Sequence, residues 1–432
     1  MTPVDAPKAV KNIAVIGSGY VGLTTGACMA KLGHSVICAD VDERKVQSLN
    51  MGKIPIMEDG LQELVTEGLA SGRLAFVLGA ANAVSEAEFV FLCLPTPQGE
   101  DGRADLTYLL TAAGQIREVL APGSIVINKS TVPVGSAERV AEVLGRDDVY
   151  VASNPEFLRE GTAVHDFFNP DRIVLGADSV DVAARVAELY DEIDAPKLLE
   201  STATAELIKY ASNAFLAAKI SFANSISNMC EAVGANAHEV LRGMGYDKRI
   251  GKQFLNPGPG WGGSCFPKDV YALINTAESA GYDFELLKAV IKANDAQNEL
   301  MVSKTLELVG GNLNGKTVAA WGLAFKAGTD DTRQSPAIRV IDSLTALGAR
   351  VRAYDPGTNA PVKGVEIAPD ALTACDGADV LVVLTEWPEF KKISLNEVGG
   401  RMAQKRILDT RNILRLNDLN KYGFDYLSVG HS

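Results

Sequence analysis

Residues 11–42 read KNIAVIGSGYVGLTTGACMAKLGHSVICADVD, an apolar strand, a glycine turn, a helical stretch closing near Gly33 and a second strand ending at Asp40. That is a βαβ unit. Gly17, Gly19 and Gly22 stand in the G-x-G-x-x-G spacing. The first glycine permits the tight turn, the second lets backbone approach a pyrophosphate, and the third allows close helix–strand packing. The phosphate then sits on the positive end of the helix. Asp40 is placed to accept hydrogen bonds from an adenosine ribose and would repel a 2′-phosphate, which favours NAD over NADP. A purely structural glycine turn is the bland alternative.

Outward from this unit, apolar strand-like runs occur at 87–95, 123–131, 148–155 and 171–177, separated by helix-patterned segments. Strands alternating with helices predict a parallel, doubly wound sheet. From residue 202 roughly thirty residues of helical pattern run without proline, longer than an average helix. The glycine- and proline-rich stretch FLNPGPGWGGSCFPKD (254–269) then breaks the helical texture before a second helical run. From Asn314 a second strand–loop–helix–strand pattern begins, with a further strand at 378–387 and Gly322 alone where the first unit has three spaced glycines. The fold class read from this order is α/β, two Rossmann-like doubly wound domains joined by a long central helix. The expected divisions are 1–200, 201–312 and 313–432.

The chain has 432 residues, 47% hydrophobic and 22% charged, a globular profile with room for more than one core. A net charge of −13 argues against nucleic acid and anionic membrane surfaces as partners, since both need clustered basic residues. The N-terminal residues lack the pattern of a secretory signal, and no apolar run approaches a membrane span, so a cytoplasmic location is expected. The six cysteines and four histidines are dispersed without ligand spacing, so neither a disulfide framework nor a metal is expected.

Cys265 differs from the other cysteines. It lies in the glycine-rich loop, and Pro267 suits the first turn of a following helix, whose N-terminal dipole would favour a thiolate. A buried, inert thiol is the ordinary alternative. Lys209 and Asn213 are four apart in the long helical run and share a face, as Cys265 and Asp269 would if a helix begins between them. A solvated helix face is the common fate of a Lys and an Asn. Glu156 and Glu160 follow a strand end, where α/β sheets place their sites; charge complementing a helix start is the alternative.

Together, GSGYVGL (17–23), NKSTVPVG (128–135), NPEFLREGTA (154–163), AELIKYASNAFLA (205–217), GPGWGGSCFPKD (258–269) and AFKAGTDDTR (324–333) resemble, in order and over nearly the whole chain, the UDP-glucose 6-dehydrogenase family. It belongs to the wider group of nucleotide-sugar dehydrogenases that also oxidise GDP-mannose and UDP-N-acetylhexosamines. The resemblance implies a homodimer and a four-electron, NAD-dependent oxidation of UDP-glucose to UDP-glucuronate, with Cys265 as the covalent nucleophile. It implies that Lys209 stabilises oxyanions, that Asn213 and Asp269 orient water and polar groups, and that Thr131 and Glu156 hold water or assist proton transfer. Which of Lys209, Asp269 or Glu156 first deprotonates the alcohol stays open.

For the cofactor the resemblance adds Tyr20, Val21, Lys45, Thr96, Thr131, Glu160, Lys268 and Arg333. For the nucleotide sugar it points to Phe157, Leu158, Arg159 and Glu160, to Lys209 and Asn213, and to Phe254, Gly260, Phe325 and Lys326. Arg249 is expected to reach across a dimer interface, and Arg411 to touch substrate. GDP-mannose and UDP-N-acetylhexosamines are rival substrates. A two-electron hydroxyacid dehydrogenase of similar build would use Lys209 and Asn213 without needing Cys265.

Overall fold

The computed structural model describes residues 9–99 and 102–431. Contacts gather the chain into two compact units, one holding residues up to Ser212 with Tyr271–Ala280, the other Asn213–Val270 with the rest from Gly281.

The first unit is built on β1 (Asn12–Ile16), β2 (Ser35–Asp40), β3 (Leu74–Leu78), β4 (Phe89–Leu92), β5 (Ile125–Asn128), β6 (Tyr150–Ser153), β7 (Ile173–Ala177) and β8 (Lys197–Glu200), in the sheet order β3-β2-β1-β4-β5-β6-β7-β8. Strands β4 and β5 are buried at every position because helices cover both faces. Alternation along β1 splits the core. Ile13 and Val15 join the cluster on one face, Ala14 and Ile16 that on the other. Each fully buried large side chain, such as Phe89, Phe91 or Leu23, contributes about 1.5–3 kcal/mol.

One expectation is corrected. The sheet is not parallel throughout, because β7 pairs antiparallel with β6 and β8 runs parallel to β7. The segment between β6 and β7 holds only the short helix Ala163–Phe168, and the chain re-enters the sheet from the edge at which it left. Residues 154–172 therefore stay at the carboxyl end of the sheet.

The second unit carries β9 (Thr317–Trp321), β10 (Arg350–Tyr354), β11 (Val365–Ile367), β12 (Val380–Val383), β13 (Arg406–Asp409) and β14 (Asp425–Ser428), all parallel, ordered β11-β10-β9-β12-β13-β14. This is the doubly wound dinucleotide-fold order. Its core alternates likewise, Val318 and Ala320 against Ala319 and Trp321. The long helical run forms one helix, Thr202–Val233, of 32 residues. Among the described residues no helix is long and apolar enough to cross a membrane.

Candidate active site

In each sheet the strand order reverses at one point, between β1 and β4 and between β9 and β12. Open α/β sheets bind ligands in the crevice at the carboxyl ends of such strands. The glycine turn follows β1, Thr96 follows β4, Thr131 follows β5 and Glu156 follows β6. In the second sheet Phe325 and Lys326 follow β9, and Arg411 follows β13.

The glycine turn has the shape a dinucleotide needs. Gly17 sits at φ +94°, and a Cβ there would lie 2.4 Å from the Cys93 carbonyl oxygen. A Cβ on Gly22 would lie 1.8 Å from the Gly17 oxygen, so the fold itself demands both glycines. At Gly19 a Cβ would meet nothing within 4 Å. The protein leaves that side open for backbone to approach a ligand, as NAD requires. The Asp40 carboxylate accepts the Ser18 N–H at 3.0 Å, the Ser18 hydroxyl at 2.6 Å and the Lys45 ammonium at 2.7 Å. Burial pushes its pKa up, but Lys45 and Ser18 outweigh burial and hold it at about 2, so it is an acceptor at any working pH.

Tyr20 opens the helix after this turn. Its hydroxyl meets the Glu58 carboxylate and accepts the Gly161 N–H at 3.1 Å. Glu58, buried, also accepts the N–H groups of Gly161 at 2.8 Å and Ala163 at 2.7 Å. Glu58, which the sequence reading did not single out, thus supplies a carboxylate to the start of the helix Ala163–Phe168. Val21 packs on the core beneath.

Lys209 and Glu156 form a buried ion pair, Nζ to Oε1 at 3.0 Å, with the side chains 5% and 6% exposed. A solvated helix face is ruled out for Lys209. Burial, the largest influence, pushes the Glu156 pKa up. The Lys209 charge and hydrogen bond, the Leu158 N–H at 2.6 Å and the Lys129 charge together bring it below the ordinary carboxylate value. Phe157 lies against both cations, 5.3 Å from Lys209 Nζ and 3.6 Å from the Arg172 guanidinium carbon. Thr96 donates to the Thr131 carbonyl at 2.9 Å. Lys129 is also buried and donates to Asn154 Oδ1 at 3.0 Å; burial lowers its pKa to about 8. A lysine closing an apolar strand run, in INKST, was the available signal.

In the second unit Asn213 donates to Asp269 Oδ2 at 2.6 Å, and Lys268 to Oδ1 at 2.6 Å, with Asp269 fully buried. Asn213 is 6% exposed, so its helix face is no more solvated than that of Lys209. A helix does begin between Cys265 and Asp269: it spans Phe266–Ser279, and the Asp269 N–H donates to the Cys265 carbonyl at 3.0 Å. Cys265 thus stands at a helix N-terminus, where the dipole favours a thiolate. Cys265 is partly exposed, whereas the other five cysteines are buried. Burial pushes the Cys93 and Cys375 thiols up to about 12 and raises those of Cys28 and Cys38 as well.

The thiol loop packs on the sugar-side candidates of the same unit. A Cβ on Gly263 would lie 3.0 Å from the Phe325 ring, and one on Gly258 3.0 Å from Arg411. Arg411 donates to the Phe325 carbonyl at 3.2 Å and pairs with Glu386. Lys326 lies over the Phe325 ring, 5.7 Å from its centroid. Phe254 adopts φ +61° and Gly260 φ +133° in this loop. Arg159 is paired with Asp166, Arg333 with Asp331, and the largely exposed Arg249 with Asp247.

A dinucleotide turn with a ribose acceptor, a buried Lys–Glu pair after β6 and a thiol at a helix start define an NAD-dependent oxidoreductase of the two-Rossmann class. Three models of the UDP-glucose/GDP-mannose dehydrogenase family match the chain: the NAD binding domain over residues 11–194, the central domain over 203–296 and the UDP binding domain over 319–416. The chain belongs to this family. It is 44% identical over 431 residues to a UDP-glucose 6-dehydrogenase of Bacillus subtilis (strain 168), covering 98% of this chain and 93% of that one. It is also 44% identical to one of Rhizobium meliloti (strain 1021), covering 97% and 99%. Among solved structures it resembles a UDP-glucose dehydrogenase from the hyperthermophilic archaeon Pyrobaculum islandicum, with a TM-score of 0.91, 36% identity, and 99% and 100% of the two chains covered.

Proposed function

We propose that the chain oxidises UDP-glucose to UDP-glucuronate in two steps, consuming two NAD and one water per product. NAD, held at the glycine turn, supplies a hydride acceptor for each step. The first oxidation leaves an aldehyde, which the Cys265 thiolate captures as a thiohemiacetal. The second converts that adduct to a thioester, which water hydrolyses to the carboxylate with release of the thiol. Lys209 stabilises the oxyanions in a site shielded from water. Asn213 and Asp269 orient polar groups at the thiol, and Thr131 and Glu156 hold water. Phe157, Phe325, Lys326 and Arg411 serve the nucleotide sugar. The working division is 1–200 for NAD, 201–312 for the thiol and the subunit contact, and 313–432 for the nucleotide sugar.

The single observation that carries this reading is Cys265, the one partly exposed thiol, placed at a helix start. A two-electron dehydrogenase has no use for it. The full-length relatives named for UDP-glucose favour that sugar over GDP-mannose. NADH released per nucleotide sugar should be two with UDP-glucose and negligible with GDP-mannose or UDP-N-acetylhexosamines. One NADH per sugar, or a preference for another sugar, overturns the assignment.

The working form is a cytoplasmic homodimer, consistent with six free thiols. Leu207, Phe215, Phe222, Met229 and Val233 fall within roughly an 80° arc of the long helix at 100° per residue. Each is between 43% and 66% exposed, an apolar stripe opposite the face bearing Lys209 and Asn213. Replacing Phe215 and Phe222 with glutamate should halve the sedimenting mass. A parent chain already monomeric, or a variant still dimeric, counts against this interface.

A further inference from the structure

The loop that delivers Cys265 is held by side chains instead of by secondary structure. Five of its buried backbone groups are met by amides from two helices. The Gly258 N–H donates to Asn224 Oδ1 at 2.8 Å, and the Gly258 carbonyl accepts from Gln297 Nε2 at 2.8 Å. The Pro259 carbonyl accepts from Asn298. Asn294 takes both groups of Trp261, accepting its N–H at 2.8 Å and donating to its carbonyl at 3.1 Å. The Trp261 indole N–H donates to the Ser221 hydroxyl at 2.9 Å.

These amides are nearly inaccessible, with Asn224 at 2%, Asn294 at 3% and Gln297 at 2% exposed. They also close over the chain. A Cβ on Gly260 would lie 2.6 Å from Asn298 Nδ2 and 2.8 Å from Asn294 Oδ1. On the far side, a Cβ on Gly262 would lie 2.0 Å from the Gln334 carbonyl oxygen. The loop has one place to be.

We infer that Asn294, assisted by Gln297 and Asn298, is a positioning residue for the Cys265 thiol, setting the backbone from which the nucleophile is presented. The inference rests on the thiol chemistry proposed above. Buried backbone groups need partners in any loop. A buried amide bonded through both its oxygen and its nitrogen, as Asn294 and Gln297 are, does more, because it rigidifies the segment and selects a single conformation. A nucleophile displaced by about 1 Å loses on the order of 100-fold in rate. Cys265 lies four residues beyond Trp261, the residue that Asn294 grips by both ends.

The test compares Asn294→Ala with the parent enzyme and with Cys265→Ser, reading kcat and KM with UDP-glucose, the Kd for NAD and the rate of iodoacetamide alkylation at the Cys265 peptide. The expected result is a kcat lower by about 100-fold, NAD affinity within threefold of the parent, and an alkylation rate changed by at least fivefold. Should Asn294→Ala fail to fold, Gln297→Met removes the bond to the Gly258 carbonyl together with the one accepted from Asn228 and should show the same pattern with a loss of about 10-fold. Turnover and alkylation within twofold of the parent overturn the inference, and so does a fall in melting temperature with both rates unchanged. If Cys265→Ser turns over like the parent, the thiol reading itself has failed; if that variant is dead while Asn294→Ala is unimpaired, only the positioning role has.

Discussion

Replacing Cys265 with serine is expected to lower UDP-glucuronate formation by about 10⁴-fold or more, the scale at which removal of an enzymic nucleophile is felt. NAD binding and melting temperature should stay at parental values. Cys265 occupies the position before Phe266, where its carbonyl accepts the first N–H of the helix, and serine is among the best residues at such a position. The fold therefore gains no reason to fail. The chemistry does, because a serine hydroxyl is far less ionised than a thiol and an ester hydrolyses more slowly than a thioester. NAD affinity by calorimetry alongside acid formation separates the two effects. A serine variant that keeps more than a hundredth of parental turnover would sink the covalent route.

The second large effect falls on the buried pair of Lys209 and Glu156. Lys209→Met should reduce kcat by about 10²–10³-fold through loss of oxyanion stabilisation. It should also cost about 3–5 kcal/mol of stability, since Glu156 is left charged and buried without its partner. Acidity provides a further check. In the parent the Glu156 pKa is depressed, so its contribution to stability is present above the unfolded value of 4.5 and is lost as pH falls. Without Lys209, burial dominates and raises that pKa, which reverses the sign. The stability gap between variant and parent, from urea melts at several pH values, should narrow as the solution is acidified towards 4.5. Adding Glu156→Gln should recover most of the stability and none of the turnover. A gap that widens on acidification contradicts this account.

Much of the architecture could be read from strands buried on both faces. The runs containing β1, β4, β5 and β12 are continuous apolar stretches, and the glycine turn after β1 announces its own function. The edge strands β3, β8 and β11 were silent because they are short and half exposed, so their composition resembles that of loops. The reversal of β7 was invisible for a different reason. Strand direction depends on which edge of the sheet a connection leaves and re-enters, and no residue pattern in DRIVLGA encodes that. Within the candidate site, the cofactor turn announces itself through its spaced glycines, and the proposed nucleophile is set off from the other cysteines by the glycine and proline around it, though the residues alone left a buried thiol as the alternative. Lys129, Glu58 and Asn294 do not, because a lysine, a glutamate or an asparagine is ordinarily a surface residue and only tertiary packing buries it.

Glu58 makes the first unit's cofactor turn and the loop after β6 share a single anchor. One carboxylate receives Tyr20 from the turn and the N–H groups of Gly161 and Ala163 from the loop. Any substitution that disturbs Tyr20 should therefore also loosen the Phe157–Gly161 segment, so that, with the roles proposed above, cofactor selectivity and sugar affinity will resist being tuned apart.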